Sequence, residues 1–194
     1  MADRTWQTRA LTADTFEDFA DVINPNRRST HCWCLSHRLQ AKVIDELGDG
    51  SREQAMRRLA AAEVPPGVVT YRDDEPVGWC HVSPRSSIPR LERSRLIRPV
   101  DDVAVWSIVC VVVRGGRRKQ GVTGHLIEGA VQHAASYDAP AVEAYPVDPG
   151  EGRIDTTMAF VGTRAMFEHA GFEVVGTTDA VASKLPRLVM RRTL

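Results

Sequence analysis

No run of apolar residues in this chain of 194 residues approaches the roughly 18 that a membrane span requires. The first ten residues lack the apolar centre of a secretory signal. Together these absences make a soluble, cytoplasmic protein with no membrane partner the expectation. There is no internal repeat and no low-complexity tract, which excludes solenoids and linker-like segments. Net charge is missing too. Twenty-five basic side chains stand against 25 acidic ones, so nothing global favours nucleic acid.

Cysteine is scarce. The four present, Cys32, Cys34, Cys80 and Cys110, do not make a disulfide framework. Cys80 and Cys110 lie in strand-like apolar runs, where a thiol packs as a small hydrophobe. His31-Cys32-Trp33-Cys34, with His37 nearby, raises the question of a metal. C-x-C without a second cysteine pair is a poor zinc spacing, so no metal is expected. The preferred reading is an apolar plug, with Trp33 covering a cleft.

What the chain does have is a core's worth of apolar residues, 43%, in one domain's length; a single domain over residues 1–194 is expected. Residues 5–11 alternate weakly and suggest a first strand. Thr12 is placed to cap a helix whose apolar Phe16, Phe19, Ala20 and Ile23 recur at helical spacing. Residues 24–50 open on the breaker Asn24-Pro25-Asn26 and read as irregular. Ser51 and Gln54 form an S-x-x-Q capping box for the next helix, ended by Pro65-Pro66-Gly67. Residues 68–71 and 76–82 read as a hairpin turning at Asp73-Asp74-Glu75.

Residues 83–102 read as a long polar connection crowded with Arg85, Arg90, Arg93, Arg95 and Arg98. Two readings stay open for it, a solvated loop or a basic lid facing an anionic ligand. The lid reading suits an acidic substrate or a phosphate of a cofactor. Residues 103–113 (VAVWSIVCVVV) are β-branched and apolar throughout, as a strand buried on both faces should be. A helix over 123–136, a strand over 140–145, a helix over 156–170 and strands over 172–176 and 188–192 complete the order β-α-α-β-β-β-α-β-α-β-β. That is an α/β (α+β) layout with a mixed sheet. An exposed edge on the last strand invites pairing between two copies as a homodimer.

Between the central strand and the helix at 123 lies R-G-G-R-R-K-Q-G-V-T-G. A glycine-rich turn leading into a helix offers free N–H groups and the positive end of the helix dipole, a site for phosphate. Three phosphate-binding patterns compete. Gly116 to Thr123 approximates a P-loop, but Val122 stands where its lysine must be. The glycine spacing is wrong for a dinucleotide fold. Arg118-Lys119-Gln120-Gly121-Val122-Thr123 matches [RQ]-x-x-G-x-[GA] at the arginine and glycine, with Thr123 in the small position.

Strand, loop, helix and the later segment M-F-E-H-A-G-F-E-V-V, beginning at Met166, resemble the GNAT N-acetyltransferase family in the same order. V-G-W-C (from Val77) and E-A-Y-P-V-D (from Glu143) are similar to a bacterial group of that family. The resemblance implies a mostly antiparallel sheet of six or seven strands, splayed between the fourth and fifth. It implies acetyl-CoA as cosubstrate, held by main-chain groups of Val111, Val112 and Val113, and by N–H groups of Arg118, Lys119, Gln120, Gly121, Val122, Thr123 and Gly124. It implies an amine acceptor, on a small molecule or a protein lysine, attacking directly in a ternary complex. A binding domain without turnover is the alternative, and it is kept in view because Phe167 occupies the position of the tyrosine that many members use as general acid. Gly162 falls where an asparagine is common. Phe160 and Phe167, seven apart on the expected helix, are read either as a wall beside the cofactor or as core. For the base, Glu143 leads by position, with Tyr145, Asp148 and His81 as further candidates. Arg153 and Asp155 are candidates for the acceptor side.

Overall fold

The computed structural model describes residues 5–28, 31–46, 51–150, 159–182 and 184–194. A seven-stranded sheet runs β1-β2-β3-β4-β5-β7-β6. β1 (Trp6–Ala10), β2 (Gly67–Arg72), β3 (Glu75–Pro84) and β4 (Trp106–Val113) pair antiparallel in turn, and β4 with β5 (Ala141–Ala144) is the one parallel pair. β5 then pairs antiparallel with β7 (Leu185–Thr193), which pairs antiparallel with β6 (Glu173–Ala182). The expected mixed sheet is present. β7 is interior, however, and β6 is the edge. The last strand therefore offers no free edge for pairing between copies. Its neighbour was hidden because Thr177, Thr178 and Asp179 interrupt the apolar pattern of β6 well before its end.

The β2–β3 turn falls where the acidic triplet placed it. Asp73 and Asp74 both have positive φ, 51° and 65°, as a two-residue hairpin turn needs. Helix α1 (Phe16–Ile23) buries Phe16, Phe19, Ala20 and Ile23. Thr12 does not cap it. Thr15 Oγ1 instead accepts from Thr12 N (2.9 Å) and donates to Ala10 O (2.8 Å), turning the chain out of β1. Residues 24–50 hold more structure than their breakers suggest, with a 3-10 turn at Leu35–His37 and a helix α2 (Ala41–Glu46). Helix α3 (Ser51–Ala60) follows as expected; the Ser51 side chain is outside the described residues.

Helix α5 (Val122–Ala135) lies on one face of the sheet. Its Leu126, Ile127, Ala130 and Ala134 pack with Cys80, Val82, Ile108 and Val142. The opposite face carries α1, with Trp33 stacked on Phe16 at 5.9 Å. Trp33 is thus core beneath α1 and covers no cleft. Cys34 beside it accepts a hydrogen bond from Trp79 Nε1 (3.1 Å) and sits 3.9 Å from Cys110, sulfur to sulfur.

Residues 83–102 are not a plain loop. β3 extends to Pro84, a 3-10 turn spans Arg85–Ser87, and α4 (Pro89–Glu92) starts on its proline. Ile88, Leu91 and Ile97 form a third core with Val109, Tyr145, Ala180 and Val189. Arginines scattered among these three residues conceal their common face. The expected helix over 156–170 is also interrupted. A 3-10 turn (Ala159–Val161) precedes Gly162 at φ 75°, and α6 (Arg164–His169) begins beyond Thr163, whose Oγ1 accepts from Met166 N. Residues 156–158 are outside the described set. A glycine in the left-handed region ends one turn and lets the next begin.

Candidate functional site

β4 and β5 are paired only at Trp106–Val142, Ser107–Glu143 and Ile108–Ala144. β5 ends at Ala144 while β4 continues to Val113. The two strands therefore part at Val109, and the sheet is splayed at the expected seam. A bulge reinforces the parting. The β3–β4 register jumps from His81–Cys110 to Val82–Ile108, leaving Val109 as the extra residue. A bulge re-aims its side chain, and Val109 accordingly joins the third core.

β4 leads straight into the glycine-rich loop. Arg114 and Arg117 are tied to Glu75. Gln120 accepts from Arg72 Nη1 (2.6 Å) and donates to the Gly116 carbonyl (3.1 Å). Gly116, Lys119 and Gly121 have positive φ, and Gly121 stands at the N-cap of α5 without a side-chain cap. A Cβ added at Gly115, Gly116, Gly121 or Gly124 would meet nothing within 4 Å. The N-cap of α5 at Gly121 is thus exposed, uncapped and surrounded by room, with Arg118 and Lys119 exposed beside it. That is the arrangement an anionic phosphate group fits.

On the face opposite α5, below the seam, lies a buried polar network. Tyr145 Oη donates to Glu143 Oε2 (2.9 Å), accepts from Arg85 Nη1 (2.7 Å), and lies 3.0 Å from Ser107 Oγ. Glu143 is ion-paired with Arg191 (2.7 Å), which also holds Asp101 through two nitrogens. Burial raises the Tyr145 phenol above its ordinary range, with the Glu143 charge adding to the effect. Both residues singled out as base candidates are thus engaged: Glu143 is 1% exposed and Tyr145 likewise 1%. Arg85 also donates to the carbonyls of Ile97 (2.8 Å) and Leu91 (3.3 Å), pinning α4 and its sequel over β4.

A cavity of about 490 Å³ opens above this network. Its floor includes Val109 and Tyr145. Ser36 and His37 form one wall, α4 and the residues after it a second, and the β6–β7 hairpin with Asp179 and Arg187 a third. Phe160 stands on the rim, its ring 4.8 Å from His37. Burial lowers His37 to about 4, with Arg90 and Arg187 adding to the depression. The imidazole is therefore neutral at pH 7.

The depressed histidine has a consequence for stability. Its folded value lies below its unfolded one, so the native state gains from a neutral ring above pH 6.5 and loses that gain as pH falls toward 4. A shift of this size corresponds to about 3 kcal/mol. Denaturant titrations should show stability falling between pH 6.5 and 4, and His37→Gln should reduce that slope, with buried His81 supplying part of the remainder. An unchanged slope in the variant would place the acid sensitivity elsewhere.

The other expected site residues are dispersed. His81 is fully buried; its Nε2 lies 3.2 Å from Arg38 Nη1, and burial holds it well below the usual imidazole range. Asp148 pairs with Arg164 (3.2 Å), outside the cavity lining. Phe167 is core, T-stacked on Phe172 at 5.2 Å. It does not share a stripe with Phe160, because Gly162 separates their elements. Arg153 and Asp155 lie outside the described residues. Val109, Asp179 and Arg187 line the cavity without any local pattern that marks them, Arg90 comes from the arginine-rich stretch read as a solvated loop or a basic lid, and His37 stands out in the sequence only through its neighbouring cysteines. Among the described residues no group of three or more His, Cys, Asp or Glu is placed to hold a metal, and no helix is long and apolar enough to cross a membrane.

The splayed β4–β5 seam runs on into an open helix N-terminus, an arrangement suited to an extended ligand that carries phosphate. The chain belongs to the acetyltransferase (GNAT) family, whose model matches residues 28–172. No curated protein matches the sequence. Among solved structures, it is similar to the aminoglycoside acetyltransferase AAC(6')-Ib in complex with ribostamycin and coenzyme A, at 15% identity and TM-score 0.58, over 97% of this chain and 93% of that one. The PaiA N-acetyltransferase of Thermoplasma acidophilum, in complex with coenzyme A, matches at 10% identity and TM-score 0.51, over 98% and 99%. A GCN5-related N-acetyltransferase from Kribbella flavida matches at 16% and TM-score 0.51; 90% of this chain is covered, but it spans only 34% of that protein. At these identities the likeness establishes a shared fold.

Proposed function

We propose that this chain transfers an acetyl group from acetyl-CoA to a primary amine of a small molecule, by direct attack within a ternary complex. One observation carries the reading. Val109, where β4 parts from β5, lines the cavity, and the same strand runs on through Val113 to the open loop at the N-terminus of α5. Main-chain groups of Val111, Val112 and Val113 flank the cosubstrate's pantetheine arm, and N–H groups from Arg118 to Gly124 receive its pyrophosphate. The thioester, already activated, supplies the acetyl group. Val109 and Tyr145 bring the amine to it.

Glu143 and Tyr145 serve this chemistry by position. Their network with Arg85 holds the tyrosine ring as cavity floor, and the Tyr145 hydroxyl is committed to three partners. On the cavity wall, His37 and Asp179 are the groups open to receive the amine's proton or hand it to water.

The first test is thermal unfolding with acetyl-CoA, CoA or ATP. A ligand of the folded state stabilises it by about 2.7 kcal/mol at 100 times its Kd. Acetyl-CoA and CoA should raise the midpoint and ATP should not; no shift with acetyl-CoA defeats the reading. Thiol release on adding small amines, and its absence with lysine-containing peptides, tests the choice of acceptor.

Gly121 offers a sharper probe of the loop. A valine there must adopt φ near 82° and would place a side chain where the phosphate enters. Gly121→Val should weaken CoA binding by roughly tenfold or more in calorimetry, the loss of charge-assisted contacts. Unchanged affinity would take the pyrophosphate away from this loop.

A further inference from the structure

The cavity above the seam contains positive charge without a partner. Arg187, on β7, donates through Nε to the Tyr145 carbonyl (2.8 Å). Its terminal nitrogens have no hydrogen bond, and it forms no ion pair, among the described residues. Arg90, on α4, donates to the Ser36 carbonyl and likewise has no carboxylate. Both line the same cavity. Burial first, with the nearby Arg90 charge adding to it, brings Arg187 down to about 10. His37 across the cavity is neutral. Asp179 is the one acidic side chain in the lining, and it forms no salt bridge with either arginine among the described residues.

A half-buried guanidinium with a second cation nearby is unfavourable unless an anion joins them. Among the described residues neither Arg187 nor the exposed Arg90 has a carboxylate partner. The remaining lining is mostly apolar, with Leu91, Leu96, Ile97, Phe160 and Val181 beside Ser36 and Ser94. A guanidinium pair beside an apolar wall suits a planar carboxylate attached to an apolar body. A polycationic acceptor such as an aminoglycoside would meet two like charges and a single carboxylate.

We infer that the acceptor is a small amine that also carries a carboxylate and an apolar side chain, of the α-amino acid type, with its carboxylate held by Arg187 and Arg90 while its amine faces the seam at Val109. This rests on the proposed acetyl transfer and specifies its acceptor. Arg187 and Arg90 then determine specificity. Asp179 faces the solvent side of the same cavity and disfavours a second anionic group.

The test compares matched acceptors. L-leucine and L-leucinamide share an amine and an apolar body and differ in the carboxylate; spermidine supplies a polycation. The expected result is a kcat/KM for leucine at least roughly tenfold above that for leucinamide, the scale of one charged hydrogen bond, although the amide's less basic amine is the more readily neutral. Arg187→Gln and the surface variant Arg90→Gln should each remove most of that preference, through KM. Equal or better use of leucinamide or spermidine, or variants that keep the preference, would overturn the inference.

A binding arm makes the test independent of turnover. N-acetyl-L-leucine and its amide are compared for thermal stabilisation of the protein, with and without saturating CoA. Stabilisation by the acid alone, lost in Arg187→Gln, supports the inference; equal response to both, or to neither, overturns it. CoA affinity is measured in parallel. It should be unchanged in both variants; weakened CoA binding would assign the arginines to a cofactor phosphate instead. Failure of acetyl-CoA to stabilise the wild type is a separate result and defeats the transfer reading beneath. Should Arg187→Gln unfold, Arg90→Gln carries the comparison, because its side chain is exposed.

Discussion

Replacing Glu143 with alanine is expected to destabilise the protein by about 3 kcal/mol, the lower end of what is lost when one partner of a buried ion pair is removed. The carboxylate is 1% exposed and accepts from two nitrogens of Arg191 and from the Tyr145 hydroxyl. Its removal leaves Arg191 desolvated. The loss stays at the lower end because Asp101 still accepts from two nitrogens of the same guanidinium, at 2.6 and 2.9 Å. For a chain of this length 1 kcal/mol moves the unfolding midpoint by about 2–4 °C, so a drop of about 6–12 °C should be seen by calorimetry. Glu143→Gln keeps an acceptor for Tyr145 and should lose less. A normal midpoint in Glu143→Ala, with kcat greatly reduced, would instead make the carboxylate the base.

Phe167→Ala should be at least as costly, about 3–5 kcal/mol, the usual range for emptying a buried phenyl site. The ring is fully buried between α5 and β7, against Phe172. It also explains Gly162: a Cβ there would lie 2.6 Å from Phe167 Cε2. The pair occupies the two positions that the family resemblance matched to a tyrosine and an asparagine, and here it makes core. Phe167→Tyr therefore buries a hydroxyl without a designed partner, at about 1–3 kcal/mol. The midpoint should fall and kcat should not rise. A rise in kcat would show that the position reaches the reacting centre after all.

The parts of this molecule legible in the sequence are those written in consecutive residues. β4 is a continuous β-branched run, the loop is punctuated by glycines, and α5 follows with a clean stripe. The splay came from resemblance and sits where it placed it, and the glycine-rich turn leads into the N-terminus of α5 as its residues suggested. The site's interior was not legible, because its bonds span the chain. Arg85 meets Tyr145 across 60 positions and Arg191 meets Glu143 across 48. No local pattern announces such a pair. Ile88, Leu91 and Ile97 were lost among arginines, and a solvated loop was a fair reading until Arg85 was seen to turn inward while Arg93, Arg95 and Arg98 stay outside. Glu143 and Tyr145 were found by position, but their engagement with each other could be read only in three dimensions.

The three-residue seam between β4 and β5 has a mechanical meaning. It clasps two plates, β1 to β4 and β5-β7-β6, at a single corner. Beyond it, β4 runs from Val109 to Val113 with no strand on that side, a row of backbone groups left to find other partners. An extended ligand laid along this row is a surrogate strand that completes the sheet. Amide hydrogens of Val111 and Val113, which alternate with the β3-bonded Arg114 N–H and point away from β3, should then exchange slowly only in the liganded protein, and the two plates, loosely clasped when empty, should open and unfold as one unit when it is filled.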